Sequence, residues 1–313
     1  MDRPDPYAEI SGRLDALYLE LRKSPPSAPQ RLFHYTDPQG FVGIVMNQRL
    51  WASNADFLND SSEPAYALDV LRGVFQHFES HLDPSGTVRR ALGGFWEWAV
   101  QEQLGQSPHL YVFCLSEVDD LLSQWRAYGG HGAGYAVGFS ATGLRSLLRA
   151  SEGQYLVKVV YDRQQQEQEA VAIFNHIASV AEQYEQTHGR IDAATCGHDA
   201  ILVERKIRNA FLSEIIRLRA RFKIPAFREE EEWRIVQFLH PAVDKPPVQF
   251  RHSIGAAKPY VELNLGADNL PIEQVTIGPA LRAELSRRSG VLMLAKKGYS
   301  GVEVSISTVP FRL

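Results

Sequence analysis

The chain has 313 residues, with 33 Lys and Arg against 37 Asp and Glu, a net charge of −4, and 44% apolar side chains. This balance excludes a purely electrostatic nucleic-acid binder and leaves enough apolar material for one large core or two ordinary ones. No apolar run approaches the ~20 residues of a bilayer span, and Met1 to Pro6 holds no signal-peptide core, so a cytoplasmic protein without membrane association is expected.

Ile10, Leu14, Leu17, Tyr18 and Leu21 recur at helical spacing and predict a helix from Pro6 to Lys23, followed by a Pro- and Ser-rich linker at residues 24–29. Arg31 to Tyr35 reads as a strand stopped by Asp37-Pro38. Phe41 to Gln48 then reads as a short helix, and Leu50 to Ser53 as a second strand. Periodicity near 3.6 predicts helices over Glu63–Phe78 and Val88–Leu104, on either side of a loop at residues 81–86.

The largely apolar runs Leu110–Leu115, Gly134–Phe139 and Tyr155–Tyr161 suit strands buried on both faces. Gln164–His188 and Asp199–Phe222 predict a helical pair, with Pro225 closing the second helix. Strands are expected again at Glu231–Leu239, Tyr260–Leu263 and Gln274–Ile277, then a helix at Ala280–Ser289 and a strand near Val302–Ile306. The expected organisation is a peripheral helix and linker over 1–30 and a single α+β domain over 31–313, with a helical insertion at 163–223.

Four segments are more polar than their surroundings require, and they fall near strand ends, where an open sheet presents its ligand. In His34-Tyr35-Thr36, strand alternation puts His34 with Leu32, so the imidazole either enters a cleft or is a satisfied core histidine. In Trp51 to Glu63, the short polar groups of Ser53, Asn54, Asn59 and Asp60 either cap the next helix or line a loop under a ligand. Trp125 and Tyr128 share a helix side ahead of Gly129, Gly130, Gly132 and Gly134. That order fits neither GxGxxG nor a P-loop, and leaves a flat-walled pocket or a turn over a buried tryptophan. In Glu229 to Arg234, a strand would set Glu230, Glu232 and Arg234 on one face and Glu231, Trp233 and Ile235 on the other, an arrangement found both in catalytic sites and in structural ion pairs. Cys114 and Cys196 form no metal-spaced cluster, so no metal is expected.

In this order the segments His34-Tyr35-Thr36, Asn59-Asp60 with Glu63, Trp125 and Tyr128 through Gly138-Phe139, and Glu230 to Arg234 resemble a bacterial family of unknown function, number two-nine-seven-one. The resemblance spans about Leu32 to Phe238, with Ser61 where a proline often follows Asn-Asp. That family looks like a distant relative of mono-ADP-ribosyltransferases, which implies a split mixed β-sheet clasping NAD as substrate. By that pattern His34 bonds the adenosine ribose, Tyr35 or Tyr128 packs near the nicotinamide, and Ser53 with Asn54 holds the second-strand position. Thr36, Asn59 and Trp125 complete the NAD contacts.

Glu232 is then the catalytic carboxylate, and Glu230 orients or deprotonates the acceptor. The implied activity is ADP-ribose transfer to nucleic acid or protein, in a toxin, effector or phage-defence setting. A silent nucleotide- or partner-binding module and an NAD hydrolase are the alternatives. Arg205, Lys206, Arg208, Arg217, Arg219, Arg221 and Lys223 form either a nucleic-acid acceptor surface or a solvated helix face.

Overall fold

The computed structural model describes residues 5–23, 28–58, 63–101, 110–130, 132–149, 153–239, 248–253, 256–263, 265–266 and 269–310. The chain runs α1 (Pro6–Leu21), β1 (Arg31–Thr36), α2 (Pro38–Asn47), β2 (Leu50–Asn54), α3 (Glu63–Ser80), α4 (Thr87–Leu92) and α5 (Phe95–Ala99). It continues through β3 (Leu110–Ser116), α6 (Leu122–Ala127), β4 (Tyr135–Ser140), α7 (Ala141–Leu147), β5 (Gln154–Lys158), α8 (Arg163–His188), α9 (Ala193–Cys196) and α10 (His198–Arg219). The last part holds β6 (Glu232–Phe238), β7 (Gln249–Ser253), β8 (Ala256–Leu263), β9 (Ile272–Ile277), α11 (Ala283–Lys296) and β10 (Glu303–Ile306).

Two compact units result. Unit 1 collects Met1–Lys23, Leu58–Pro108 and Val160–Pro225; unit 2 collects Ser24–Phe57, His109–Val159 and Ala226–Leu313. All ten strands fall in unit 2. The helical stretch expected as an insertion shares unit 1 with α1 and α3 to α5.

In unit 1, Asp5 starts α1 by accepting hydrogen bonds from the Tyr7 and Ala8 amides, with Pro6 tolerated in the first turn. The helix is not peripheral: Ile10, Leu14 and Leu17 are buried in the same apolar cluster as Phe75, Phe95, Phe174 and Phe211. The single helix expected over Val88–Leu104 is broken after Leu92, where Gly93 ends α4 and Gly94 takes the left-handed φ of 63° that an L side chain resists. Residues 102–104 lie outside the described chain. Helix α10 ends at Arg219, before Pro225 is reached.

The basic residues at the end of α10, Arg217 and Arg219, are buried, whereas Arg205 is exposed. Glu214 accepts from Arg22 Nη1 at 2.8 Å and from Arg217 Nε at 2.6 Å, all three side chains being at most 4% exposed. Arg221 pairs with Glu169, Lys223 lies 3.8 Å from Glu63, Lys206 reaches Asp15 at 2.7 Å, and Arg208 donates to the Ala91 and Gly93 carbonyls. Of the basic residues expected to offer a nucleic-acid surface over 205–223, Arg217, Arg219 and Lys223 are buried, so these three do not contribute to one, and Lys206, Arg208 and Arg221 are engaged within unit 1. Helical periodicity counted these charges but could not assign them to the inner face.

Unit 2 is built on one ten-stranded mixed sheet in the order β10-β9-β4-β1-β3-β2-β8-β7, with β6 on β3 and β5 on β6. Only the β9–β10 pair is parallel among the strand pairs described. Leu32, Phe113, Leu115, Val137, Phe139, Trp233 and Ile235 bury one face with Phe41 and Val45 of α2. Phe33, Tyr35, Ala136 and Trp125 of α6 form a smaller cluster on the other.

Glu214→Leu leaves Arg22 and Arg217 buried without their shared counter-charge, a defect that typically costs about 3–5 kcal/mol. Denaturant unfolding of this variant is expected to show a loss of that size; a loss below about 1 kcal/mol would mean that the network is not holding the charges.

Candidate functional site

A strand has two edges, and β6 occupies one edge of β3 along its whole length, from Leu110 to Ser116. The other edge is shared: β2 pairs at Tyr111 and Val112, while β1 touches only at Ser116. Between these contacts the sheet forks, because β1 continues onto β4 and β2 continues onto β8. No described strand pairs with Cys114 on that edge, and its carbonyl instead accepts from His34 Nδ1 at 2.8 Å.

The imidazole also stacks on Phe113, with ring centroids 4.1 Å apart. Burial brings the pKa of His34 from 6.5 down to about 4; the Cys114 carbonyl opposes the shift, Arg251 adds to it and Asp37 opposes it. With Nδ1 donating to a carbonyl, the neutral ring presents Nε2 as an acceptor.

Directly paired residues in an antiparallel ladder project to the same face. Ser116 pairs with both Phe33 and Glu232, so these three share one face and His34 projects from the other. The structure therefore does not put His34 and Glu232 on one wall. Glu232 accepts from Arg234 Nε at 2.7 Å and from Arg234 Nη2 at 3.0 Å, and the two residues are 5% and 2% exposed. Glu230 is not on the strand with Glu232 as the alternation predicted. It ends a 3-10 turn, Pro225–Glu230, and Glu231 then takes a φ of 42°, so alternation begins only at Glu232.

The polar groups of Tyr35 and Trp125 are satisfied within the protein. Tyr35 Oη donates to the Val118 carbonyl at 2.8 Å and accepts from the Leu121 amide at 3.0 Å, and burial pushes its pKa up. The fully buried Trp125 donates from Nε1 to Asp120 at 2.8 Å, and its ring meets Tyr35 edge-on. Tyr128 is exposed, so the pair does not wall one pocket.

The glycines pack closely against the protein's own backbone. A Cβ on Gly134 would stand 2.2 Å from the Thr36 carbonyl oxygen, on the outermost residue of the β1–β4 ladder. Asn54 is buried and accepts from the Asp56 amide at 3.0 Å, a local turn contact. Asn59, Asp60 and His131 lie outside the described residues. Glu63, from the same expected motif, belongs to unit 1.

Ser53 is a buried second-strand residue whose hydroxyl meets the β7–β8 ribbon. It pairs with Val112 and Tyr260, which puts it on the Glu232 face, and its Oγ accepts from Arg251 Nη2 at 2.7 Å. Arg251 and Lys258 face each other across β7 and β8 on that same side, and Tyr260 stacks on Trp51 with centroids 4.5 Å apart. Sequence reading passed over Arg251 and Lys258. The run Gln249-Phe250-Arg251-His252-Ser253 is too polar to stand out as a strand, although its alternation becomes clear once paired with β8.

Fold and site define a mixed α/β protein with a helical unit and an open-sheet unit. A family model described as "Protein of unknown function (DUF2971)" matches residues 124–235, taking in Trp125, Tyr128 and Glu230 to Arg234 but neither His34 nor Ser53. No curated protein and no solved structure matches the chain. Among the described residues, no group of three or more His, Cys, Asp and Glu could hold a metal ion, and no helix is long and apolar enough to cross a membrane.

Because the folded-state pKa of His34 lies below its unfolded value, the stability it confers is complete above about pH 6.5 and is lost as pH falls towards 4. An NMR titration is expected to place the imidazole midpoint near 4. In parallel, wild type should lose roughly 2–3 kcal/mol over this window relative to His34→Gln, at about 1.4 kcal/mol per pH unit. A midpoint near 6.5 would show that the ring is not desolvated as the structure places it.

Proposed function

We propose that unit 2 binds NAD along the Glu232 face of the forked sheet and transfers ADP-ribose from it to a macromolecular acceptor. The observation that carries this reading is the distribution of charge on that face. Arg251 and Lys258 stand beside Ser53, and the Arg234-held carboxylate of Glu232 lies in the row of Ser116. The rows of Val112 and Ser116 are four residues apart on β3, roughly 13 Å at ~3.3 Å per residue, so the two groups address different parts of one extended ligand.

In the reaction, the bond between the nicotinamide nitrogen and ribose C1′ breaks and nicotinamide leaves with the electron pair. The acceptor's nucleophile then bonds C1′ and gives up a proton. Positive charge develops on the ribose in between, and a fixed carboxylate stabilises it. Arg234 supplies the fixing by holding both oxygens of Glu232. The resemblance of the four polar segments to a family that looks like a distant relative of mono-ADP-ribosyltransferases supports the same reading.

The ion pair also favours a second reading, nucleotide binding without turnover. Glu232 is buried, engaged through both oxygens, and on the face opposite His34.

Incubation with NAD is expected to release nicotinamide, and Glu232→Gln to lower that rate ~100-fold or more while NAD still raises the melting temperature. With labelled NAD and a cell lysate, nuclease or protease digestion identifies the acceptor. NAD stabilising the wild type without nicotinamide release would select the binding module, and equal turnover by Glu232→Gln would remove that carboxylate from the chemistry.

A further inference from the structure

Strand pairs seldom set two cations directly opposite each other, because like charges at that spacing repel. Arg251 and Lys258 do so on β7 and β8. Among the described residues no carboxylate forms an ion pair with Arg251. Asp37 is within electrostatic range, along with the Cys114 thiol and the Tyr260 phenol, but the guanidinium's hydrogen bond goes to the neutral Ser53 hydroxyl. Desolvation pulls the pKa of Arg251 down against these three groups. Desolvation also lowers Lys258; the Arg251 charge adds to that shift and Cys114 opposes it. The chain thus sets two cations directly opposite each other on one face, with the Arg251 guanidinium on a neutral hydroxyl rather than a carboxylate, an arrangement that an anion complements.

We propose that Arg251 and Lys258, together with the Ser53 hydroxyl, form a seat for the diphosphate of a nucleotide. This rests on the nucleotide reading of the forked sheet and assigns the part of the ligand held at its β2–β8 side. The chemistry of the two residues is complementary. A guanidinium presents its N–H groups in a planar fork that matches phosphate oxygens two at a time, whereas an ammonium acts as a compact point charge that serves either phosphate. Ser53 holds the guanidinium through one nitrogen and so sets the direction of the fork. The aromatic pair Trp51–Tyr260 shares this face, since Tyr260 and Ser53 are paired and Trp51 lies two residues from Ser53.

Isothermal titration with ADP, AMP, adenosine and inorganic pyrophosphate tests the seat. ADP is expected to bind more tightly than AMP, and AMP more tightly than adenosine, with ADP affinity falling as salt rises. Arg251→Gln and Lys258→Gln should each weaken ADP roughly 10- to 100-fold and leave adenosine unchanged. Arg251→Lys, which keeps the charge but not the fork, should fall between wild type and Arg251→Gln.

The seat is overturned if wild type binds neither ADP nor pyrophosphate, or if variants with wild-type melting curves bind ADP as wild type does. The two readings fail differently. NAD binding and cleavage that are indifferent to Arg251→Gln and Lys258→Gln would sink the seat and keep the nucleotide reading. Pyrophosphate binding that depends on both residues, with no binding of NAD, would keep an anion seat and sink the nucleotide reading.

Discussion

One edge of β3 is asked to serve two strands. β1 meets it only at Ser116 and β2 only at Tyr111 and Val112. A peptide group in a partly buried place needs hydrogen-bond partners, and between those contacts the imidazole of His34 donates to the Cys114 carbonyl. The same bond fixes the tautomer, and burial keeps the ring neutral, so a structural repair also creates an acceptor at the fork. His34 is thereby the satisfied strand histidine, on the face opposite Glu232.

Unit 1 uses charge in another way. Its arginines and lysines are spent on internal partners: Arg22 and Arg217 on Glu214, Arg221 on Glu169, Lys223 near Glu63. Buried pairs of this kind contribute little net stability against apolar replacements but penalise the loss of either partner. A basic count along a helix is thus a poor guide to a nucleic-acid surface when the helix is surrounded by others. In unit 2 the contrast is Arg251, whose hydrogen bond goes to a neutral hydroxyl.

Much of the fold was legible because the strongest elements are repetitive. The apolar runs at β1, β3, β4 and β6 and the long periodic segments of α8 and α10 were found close to their observed limits. The failures have particular causes. Two glycines after Leu92 divide a helix whose apolar periodicity continues across the break. The β7 strand carries mostly polar residues at the end of the sheet, and the first half of β8 is Ala-Ala-Lys-Pro, so little hydrophobic contrast exists to read. The left-handed Glu231 shifts the start of β6 by a residue and removes Glu230 from the Glu232 face. The opposite facing of His34 and Glu232 follows from both β1 and β6 bridging Ser116, a pairing that no local pattern encodes.

Hydrogen–deuterium exchange of the full chain with and without NAD tests the central claim most directly. If a nucleotide lies along the forked sheet, amides of β2, β7 and β8, residues 50–54, 249–253 and 256–263, should exchange more slowly when NAD is added, while α8 and α10 stay unchanged. Unaltered exchange in those strands at saturating NAD, or protection confined to the helices of unit 1, would contradict the account.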